Sequence, residues 1–288
     1  MSKEQFYKLK PFDKKRLEEI LSQEKIWLAQ FNTFNDPFEG KFRLLSIPSP
    51  YNIEKNEALF QHYLKFHQKS DPTLSESEFR RLLNSSDFNQ EIKNSNNEFI
   101  SNLFPNHGSF CFTRDYSNPP MWAHYANEHK GYALIFELDL TLFLKGFDNK
   151  YEAQIYKQQV LSGQEILVFG SIFDETLNFI FTCINYQTAP PIIDPHETFR
   201  ITNEYEQTKY LVAHSIGIKS LEWSYEQAFR LTANQCGLLD LEAYTPFLKI
   251  TGIIIGVAMP EEEKKICHDL CEKNQVSLHQ AQYSTKWH

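Results

Sequence analysis

The spacing of hydrophobic and polar positions predicts a strand, a helix and a second strand within the first 45 residues. Residues 6–10 alternate apolar and polar side chains, which is typical of a strand. Residues 14–22 place their isoleucine and leucines at helical spacing, and Asp13 is a suitable N-cap. Residues 26–29 are apolar and predict another strand, so the chain opens as part of a sheet domain.

A different pattern follows in residues 46–105. Amphipathic helical stretches follow one another at residues 53–68, 75–84 and 87–103. Ser75 and Glu78 have the spacing of a capping box at the start of the second stretch. We predict one α+β domain, residues 1–288, with residues 46–105 as a helical insertion or lid within it.

The remaining two thirds of the chain mix strands with helices. Predicted strands lie at residues 109–114, 131–138, 151–156, 225–232, 247–256 and 276–283. Predicted helices lie at residues 119–127, 171–186, 203–215 and 261–274. Residues 187–198 contain three prolines and predict a loop. Because strands and helices do not alternate regularly, we expect an α+β fold with a mixed or antiparallel sheet.

Composition and charge narrow the functional classes. Hydrophobic residues make up 41% and charged residues 23% of the chain, a globular balance. The net charge of -8 disfavours nucleic acid as a partner. Aromatic residues reach 15%, which favours a core, and pocket walls, built from rings. The motifs of P-loop, common dinucleotide-binding, serine hydrolase and zinc peptidase sites do not occur.

The polar N-terminus and the scattered cysteines lead us to expect a reduced, cytoplasmic setting. The N-terminus is polar, and no apolar run is long enough to span a bilayer, so we expect no membrane partner. The five scattered cysteines suit reduced thiols, although delivery into a host cell without a signal peptide would look the same. Cys267, His268 and Cys271 match no zinc-site spacing, so we expect no metal.

The first candidate motif is Phe34-Asn35-Asp36-Pro37-Phe38-Glu39-Gly40. Asn and Asp before proline form turns by bonding their own backbone, so a rigid structural turn is one interpretation. A pocket-lining loop is the other, since polar loops often carry sites. The candidate site residues in such a pocket-lining loop are Asn35 and Asp36.

The second motif runs from Cys111 to Tyr132. Trp122 and Tyr125 lie three residues apart and share a face of the predicted helix. Such rings pack in cores more often than they bind ligands. His124 is either a structural group or a donor at a pocket edge, and Thr113 ends the preceding strand.

The third motif, residues 219–230, contains Glu222, Glu226 and Arg230. If this segment is extended, Ser224, Glu226, Ala228 and Arg230 share one strand face. A carboxylate and a guanidinium would then flank a cleft. A surface Glu–Arg pair, which contributes little, is equally compatible with the pattern.

In this order, the three motifs resemble a bacterial family known as domain of unknown function 2971. The matching pieces are Phe6-Tyr7-Lys8, Phe34-Asn35-Asp36-Pro37-Phe38-Glu39, Cys111-Phe112-Thr113, Met121-Trp122-Ala123-His124-Tyr125, Gly131-Tyr132-Ala133, Lys219 and Glu222-Trp223-Ser224-Tyr225-Glu226 to Arg230. The family in turn distantly resembles the ADP-ribosyltransferase superfamily. That resemblance implies a split, mixed β-sandwich that clamps NAD⁺.

The resemblance also implies roles for individual residues. Lys8 or Lys10 would contact the ribose and phosphates of NAD⁺, and Glu226 would bond the ribose 2′-hydroxyl. The implied catalytic residues are Glu226, Glu222 and Arg230, and the implied cofactor-binding residues are Tyr7, Lys8, Lys10, Asn35, Asp36, Thr113, Trp122, His124 and Tyr125. Two positions depart from the pattern. Ala29 or Gln30 stands where many relatives have Ser, and Ala228 stands where family members often have Glu.

The expected function is transfer of ADP-ribose to a macromolecule, expected to be a protein, or cleavage of NAD⁺, as in a toxin, effector or anti-phage protein. Cleaving the nicotinamide–ribose bond builds positive charge on the ribose, which a carboxylate stabilises. A non-catalytic nucleotide- or protein-binding module of the same fold is the alternative. A nucleic-acid-targeting defence protein, using a basic edge at Lys65, Lys69, Arg80 and Arg81, is a further alternative that the net charge disfavours.

Overall fold

A computed structural model describes most of the chain, and the structural statements below concern this part alone. The described residues are 3–30, 33–34, 36, 43–44, 50–68, 71–85, 107–139, 156–159, 165–168, 179–193, 210, 215, 217–245 and 247–283. Within them the chain forms two compact units. The first unit comprises Met1–Asn35, Asn106–Tyr186 and Lys219–His288, and the second comprises Asp36–Pro105 and Gln187–Ile218.

The described elements are short helices and a larger set of strands. The helices are α1 Lys14–Gln23, α2 Pro50–Lys55, α3 Glu57–Gln68, α4 Glu76–Leu83, α5 Pro119–Tyr125, α6 Leu241–Tyr244 and α7 Glu261–Asn274. The strands are β1 Lys3–Lys10, β2 Lys25–Gln30, β3 Arg43–Leu44, β4 Gly108–Thr113, β5 Tyr132–Asp139, β6 Tyr156–Gln159, β7 Glu165–Val168, β8 Phe179–Cys183, β9 Asn185–Gln187, β10 Ile192–Ile193, β11 Ile218–Ser220, β12 Ala228–Ala233, β13 Gly237–Asp240, β14 Leu248–Ile255 and β15 Ser277–Gln280. This is the expected α+β class.

The first unit is built on a mixed, mostly antiparallel sheet. Its strand order is β13-β2-β4-β1-β5-β14-β15, and β12 joins β4 on one edge and β8 on the other. The pair β14–β15 is parallel, and the other pairs of this sheet are antiparallel. Connected strands of one sheet therefore carry Lys8 in β1, the start of the second motif in β4 and the end of the third motif in β12.

Strand β4 has two partners on one of its edges. β12 pairs with β4 from Gly108 to Thr113 and so occupies one edge completely. On the other edge, β2 pairs with β4 at Gly108 and Ser109, whereas β1 pairs with it through Tyr7 and Thr113. β1 therefore leaves β4 directly after Tyr7, and Lys8 is the first residue beyond this fork.

The two faces of the sheet bury different sets of side chains, as expected when successive strand residues point to opposite sides. One face packs against α1 and α7 and is rich in phenylalanine, with the rings of Phe6 and Phe229 only 4.9 Å apart. The opposite face includes Tyr7 and Ile135 and packs against Met121 and Trp122 of α5. The high aromatic content therefore serves mainly the core.

The second unit contains α2, α3 and α4 around a small core of its own. The capping box predicted at Ser75 and Glu78 is confirmed: Ser75 Oγ accepts the Glu78 amide, and a Glu78 carboxylate oxygen accepts the Ser75 amide. Strands β3 and β10 form a parallel pair within the same unit. The predicted insertion, residues 46–105, falls within this unit, and its third predicted helix lies outside the described residues.

Several predicted elements are confirmed, and three are wrong. One of these is the loop predicted at residues 187–198, since Ile192–Ile193 forms β10. The strands around residues 6–10, 26–29, 109–114, 131–138 and 247–256 and the helices at residues 14–22, 119–127 and 261–274 are present with small shifts at their ends. The helix predicted at residues 171–186 is wrong where the structure describes it, because residues 179–183 pair with β12. The strand predicted from residue 225 is also wrong at its start, since Leu221–Glu226 is a 3-10 helix. Within the described residues, no helix has the length and apolar character needed to cross a membrane.

Candidate active site around Glu226

A buried ion pair marks the junction between β11 and β12. Glu226 and Lys219 are each about 5% exposed, and Lys219 Nζ lies 2.8 Å from Glu226 Oε2. The Tyr125 hydroxyl donates to the other carboxylate oxygen of Glu226 at 2.5 Å. Both oxygens of one buried carboxylate are therefore held in a fixed orientation, by a charge and by a hydroxyl.

Local backbone geometry positions this carboxylate. The 3-10 helix Leu221–Glu226 ends at Gln227, whose φ of 43° turns the chain into β12. Asn118 Nδ2 donates to the Tyr225 carbonyl at 2.9 Å and joins the turn to the start of α5. The Ala228 amide donates to the Tyr186 hydroxyl at 2.7 Å. The turn that carries Glu226 is thus tied both to the helix of Tyr125 and to β9.

Two further basic side chains accompany this ion pair: Lys8 lies within electrostatic reach of Glu226, and Arg230 lies within reach of Lys8. Arg230, on β12, is completely buried, and its guanidinium lies 5.1 Å from the centre of the Phe34 ring. Lys8 Nζ lies 5.2 Å from the centre of the Phe110 ring. Burial lowers the pKa of Lys8, and the charges of Lys219 and Arg230 lower it further, while Cys111 and Glu226 oppose this shift.

We call Glu226, Tyr125, Lys219, Lys8 and Arg230 the Glu226 cluster. Its three basic side chains outnumber its one carboxylate. A local excess of positive charge in a chain of net charge -8 favours an anionic ligand at this place. A lysine whose pKa is lowered by burial, beside a buried carboxylate, is also typical of functional sites.

Lys10 lies two residues after Lys8 on β1. Its titration tests whether burial and neighbouring positive charges lower the pKa of lysines on this strand. Burial, then the charges of Lys8 and Arg16, lower its pKa to about 8 from an ordinary value of 10.5, against an opposing effect of Cys111. Between these two pH values the unfolded chain binds more protons than the folded one. The free energy of unfolding therefore gains a contribution that rises with pH across this window.

Replacing Lys10 by methionine is expected to remove that contribution. This contribution is measured by urea unfolding of wild type and Lys10→Met at several pH values between the folded and unfolded pKa values of Lys10. The wild-type free energy of unfolding is expected to rise with pH relative to that of the variant. Identical pH profiles for the two proteins would contradict a lowered pKa at Lys10.

The remaining predicted residues fall in different places. Glu222 is exposed and accepts a hydrogen bond from the Ser220 hydroxyl, so it lies outside the cluster. Thr113 is buried, and its hydroxyl bonds the backbone of Asp115 at the end of β4. Asp36 is buried and belongs to the second unit, and Asn35 lies outside the described residues.

His124 lies at an aromatic edge next to the cluster. Its exposed ring lies 6.4 Å from the ring of Tyr225 and 6.5 Å from that of Trp223. Lys219 Nζ lies 4.5 Å from the centre of the Trp223 ring. Lys219 thus connects the buried carboxylate of Glu226 with this exposed edge. Tyr7 and Trp122, by contrast, line a separate groove of the first unit.

Sequence reasoning missed Lys219, Cys111 and Tyr186 as members or neighbours of the site. Lys219 stood at the edge of the third motif, but its partner, Glu226, is fixed by the 3-10 helix that lies between them. Burial raises the pKa of Tyr186 and that of Cys111, and the charge of Glu226 contributes to both shifts. Their participation depends on pairing between distant strands, which no local pattern reveals.

The cysteines of α7 pack in the core. Cys267 and Cys271 are almost fully buried, and Cys267 Sγ lies 3.9 Å from Met259 Sδ. Burial raises the pKa of Cys267 to about 12 and that of Cys271 to about 11. Among the described residues, no three His, Cys, Asp or Glu side chains are grouped so that they could hold a metal ion.

Comparison with known proteins adds one family. No curated protein sequence and no solved structure matches this chain. A family model matches residues 121–231, which include Tyr125, Lys219, Glu226 and Arg230 but not Lys8. The resemblance inferred from the motifs is thus confirmed for this segment. Over residues 121–231, the chain matches the family described as protein of unknown function, DUF2971.

Proposed function

We propose that this chain is an ADP-ribosyltransferase-like protein that binds NAD⁺ and transfers ADP-ribose to a protein acceptor or cleaves NAD⁺. The observation that carries the proposal is the buried Glu226 carboxylate, oriented by Lys219 and Tyr125 and accompanied by Lys8 and Arg230. The distant superfamily resemblance of the sequence supplies the reaction type.

The geometry supplies what this chemistry requires from the protein. Loss of nicotinamide leaves positive charge on the ribose, and a preorganised carboxylate stabilises that charge where it develops. Tyr125 and Lys219 orient the Glu226 carboxylate, because each donates to one of its oxygens. The excess cations of the cluster suit the pyrophosphate of NAD⁺. In this proposal Glu226 is the catalytic carboxylate, and Lys8 and Arg230 bind the phosphates.

Glu226→Gln tests the proposal, because it keeps the shape of the side chain and removes its charge. We expect wild type to bind NAD⁺ in calorimetry and to release nicotinamide, and the variant to release it roughly 100-fold more slowly. Glu128→Gln is the matched control, since Glu128 is an exposed carboxylate and is expected to leave the rate unchanged. Thermal unfolding of each variant verifies that the protein is folded at the assay temperature.

Two outcomes would refute the proposal. One is wild-type protein that neither binds NAD⁺ nor releases nicotinamide in the presence of candidate acceptor proteins. The other is nicotinamide release by Glu226→Gln at the wild-type rate, which would show that the carboxylate is not involved.

A non-catalytic NAD⁺- or nucleotide-binding module is the second candidate. Two observations favour it: Ala228 stands where family members often have Glu, and both oxygens of Glu226 already have partners within the protein. This candidate predicts NAD⁺ binding without nicotinamide release, and no release from Ala228→Glu. Any release by the wild type above that of Glu226→Gln would exclude it.

A further inference from the structure

A groove on the α5-covered face of the sheet remains unused by the proposed function. It has a volume of about 870 Å³ and lies wholly within the first unit. It is lined by Tyr7 of β1, Ile135 of β5, Ile254 of β14 and Trp122 of α5, and by Ser277 and residues 279–283. Such a volume is typical of sites for small organic ligands.

The side chains around this groove offer no fixed charge. Among the described residues that line it there is no Asp, Glu, Lys or Arg, and His129 and His279 are its titratable imidazoles. Since a desolvated charge needs an opposite charge or several hydrogen bonds, a phosphate or carboxylate would be poorly held here. The groove therefore differs in ligand chemistry from the Glu226 cluster, none of whose members lines it.

Aromatic rings stand in pairs along the groove. The rings of Tyr7 and Tyr116 are 4.8 Å apart, and those of Trp122 and His129 are stacked at 6.5 Å with an interplanar angle of 9°. Trp122 Nε1 donates to the Tyr116 carbonyl at 2.6 Å, which fixes the indole within this set. Tyr7 and Trp122 are buried and hold the set in place, so the rings open to a planar ligand are the exposed Tyr116 and the partly exposed His129.

Neutral polar groups lie beside these rings. Gln5, Gln280 and Gln282 line the groove; Gln5 Oε1 accepts from the Tyr7 hydroxyl, and the exposed Gln280 and Gln282 each carry a donor next to an acceptor. A paired donor and acceptor is the pattern that reads the edge of a nucleobase, adenine in particular. The hydroxyls of Ser117 and Ser277 already donate to Asp115 Oδ1 and to the Thr251 carbonyl, so they offer a ribose acceptor oxygens, to which Thr251 adds a further hydroxyl.

We propose that this groove binds an uncharged nucleoside, with the base against the aromatic rings and its edge bonded by glutamine amides. The site is distinct from the Glu226 cluster and does not depend on NAD⁺ turnover. α5 contributes to both places, since Trp122 lines the groove and Tyr125 bonds Glu226.

Calorimetry with adenosine and uridine tests this site, with maltose as a neutral ligand that lacks an aromatic base. Tyr116→Ala and His279→Ala are suitable variants, because Tyr116 is 42% exposed, His279 is also exposed, and the bond from Trp122 reaches only the Tyr116 backbone. We expect at least one nucleoside to bind, with roughly tenfold weaker affinity in Tyr116→Ala. Tyr51→Ala, an exposed aromatic of the second unit, is expected to bind like wild type.

AMP distinguishes this groove from the Glu226 cluster. We expect AMP to bind no more tightly than adenosine, since the described lining offers its phosphate no fixed positive charge. Tighter binding of AMP that is lost in Lys8→Met would place the ligand at the Glu226 cluster and overturn the proposal. Three other results would also overturn it. They are the absence of binding by both nucleosides, binding of maltose alone, and equal nucleoside affinity in Tyr116→Ala, His279→Ala and wild type. None of these results depends on nicotinamide release, which reports on Glu226.

Discussion

Lys219→Met is expected to lower the free energy of unfolding by about 3 kcal/mol. Lys219 and Glu226 are both about 95% buried from solvent, and the ammonium lies 2.8 Å from the carboxylate. Methionine fills a similar volume but leaves a buried carboxylate without its nearest opposite charge. Lys8 also interacts with that carboxylate, which places the expected loss at the lower end of the range for a broken buried ion pair.

A double variant separates the charge effect from simple loss of packing. Lys219→Met combined with Glu226→Gln removes both charges, so it is expected to be clearly more stable than Lys219→Met alone. Lys3→Met is the matched surface control: its partner Glu137 lies 2.6 Å away, but Lys3 is 61% exposed, and little change is expected. Urea unfolding followed by circular dichroism gives all four values. A double variant no more stable than Lys219→Met would show that charge is not the cause.

At Glu226, the residue singled out by the sequence can be compared with the backbone geometry that the structure gives it. The motif singled out Glu226, which the structure places in a buried ion pair, but the expected strand geometry was wrong. Glu226 does not share a strand face with Arg230, because it ends a 3-10 helix and Gln227 has a positive φ. A short turn of this kind carries no hydrophobic period, so propensity alone extends the following strand backward through it.

Strand pairing explains the largest error in the fold. Residues 171–186 have an apolar spacing that suits a helix, yet residues 179–183 form β8 next to β12. Phe179, Ile180 and Phe181 are aromatic or β-branched and suit a strand once a neighbour is present. That neighbour comes from about fifty residues later in the chain, so the deciding contact is non-local. By contrast, the helix at residues 261–274 was predicted with its observed ends, because its limits depend on local signals such as Pro260.

Which residues belong to the Glu226 cluster also depends on both local sequence signals and non-local strand pairing. Lys8 and Arg230 were expected from the resemblance; Lys8 lies within electrostatic reach of Glu226, and Arg230 lies within reach of Lys8. Lys8 reaches this place because β1 leaves β4 after a single paired position, Tyr7 opposite Thr113. Such a fork depends on which strands share the edge of β4, and that choice is made by the whole sheet.

Phe229→Ala is expected to destabilise the first unit by about 3–5 kcal/mol. Phe229 is completely buried between β4 and β8, and its ring lies 4.9 Å from that of Phe6. Truncation removes most of the side chain and leaves a cavity that the two neighbouring strands prevent from closing. Because Phe229 directly precedes Arg230 on β12, this packing also holds the strand that carries the buried guanidinium.

Two variants complete this experiment. Phe229→Leu keeps most of the buried volume and is expected to lose well under half as much, while Leu238→Ala, at a side chain 62% exposed, is expected to change stability little. Urea unfolding of the three proteins gives the order Phe229→Ala, Phe229→Leu, Leu238→Ala from least to most stable. Phe229→Ala and Leu238→Ala could instead prove equally stable. That result would mean that the packing of phenylalanines between β1, β4 and β12 does not stabilise the sheet that carries the Glu226 cluster.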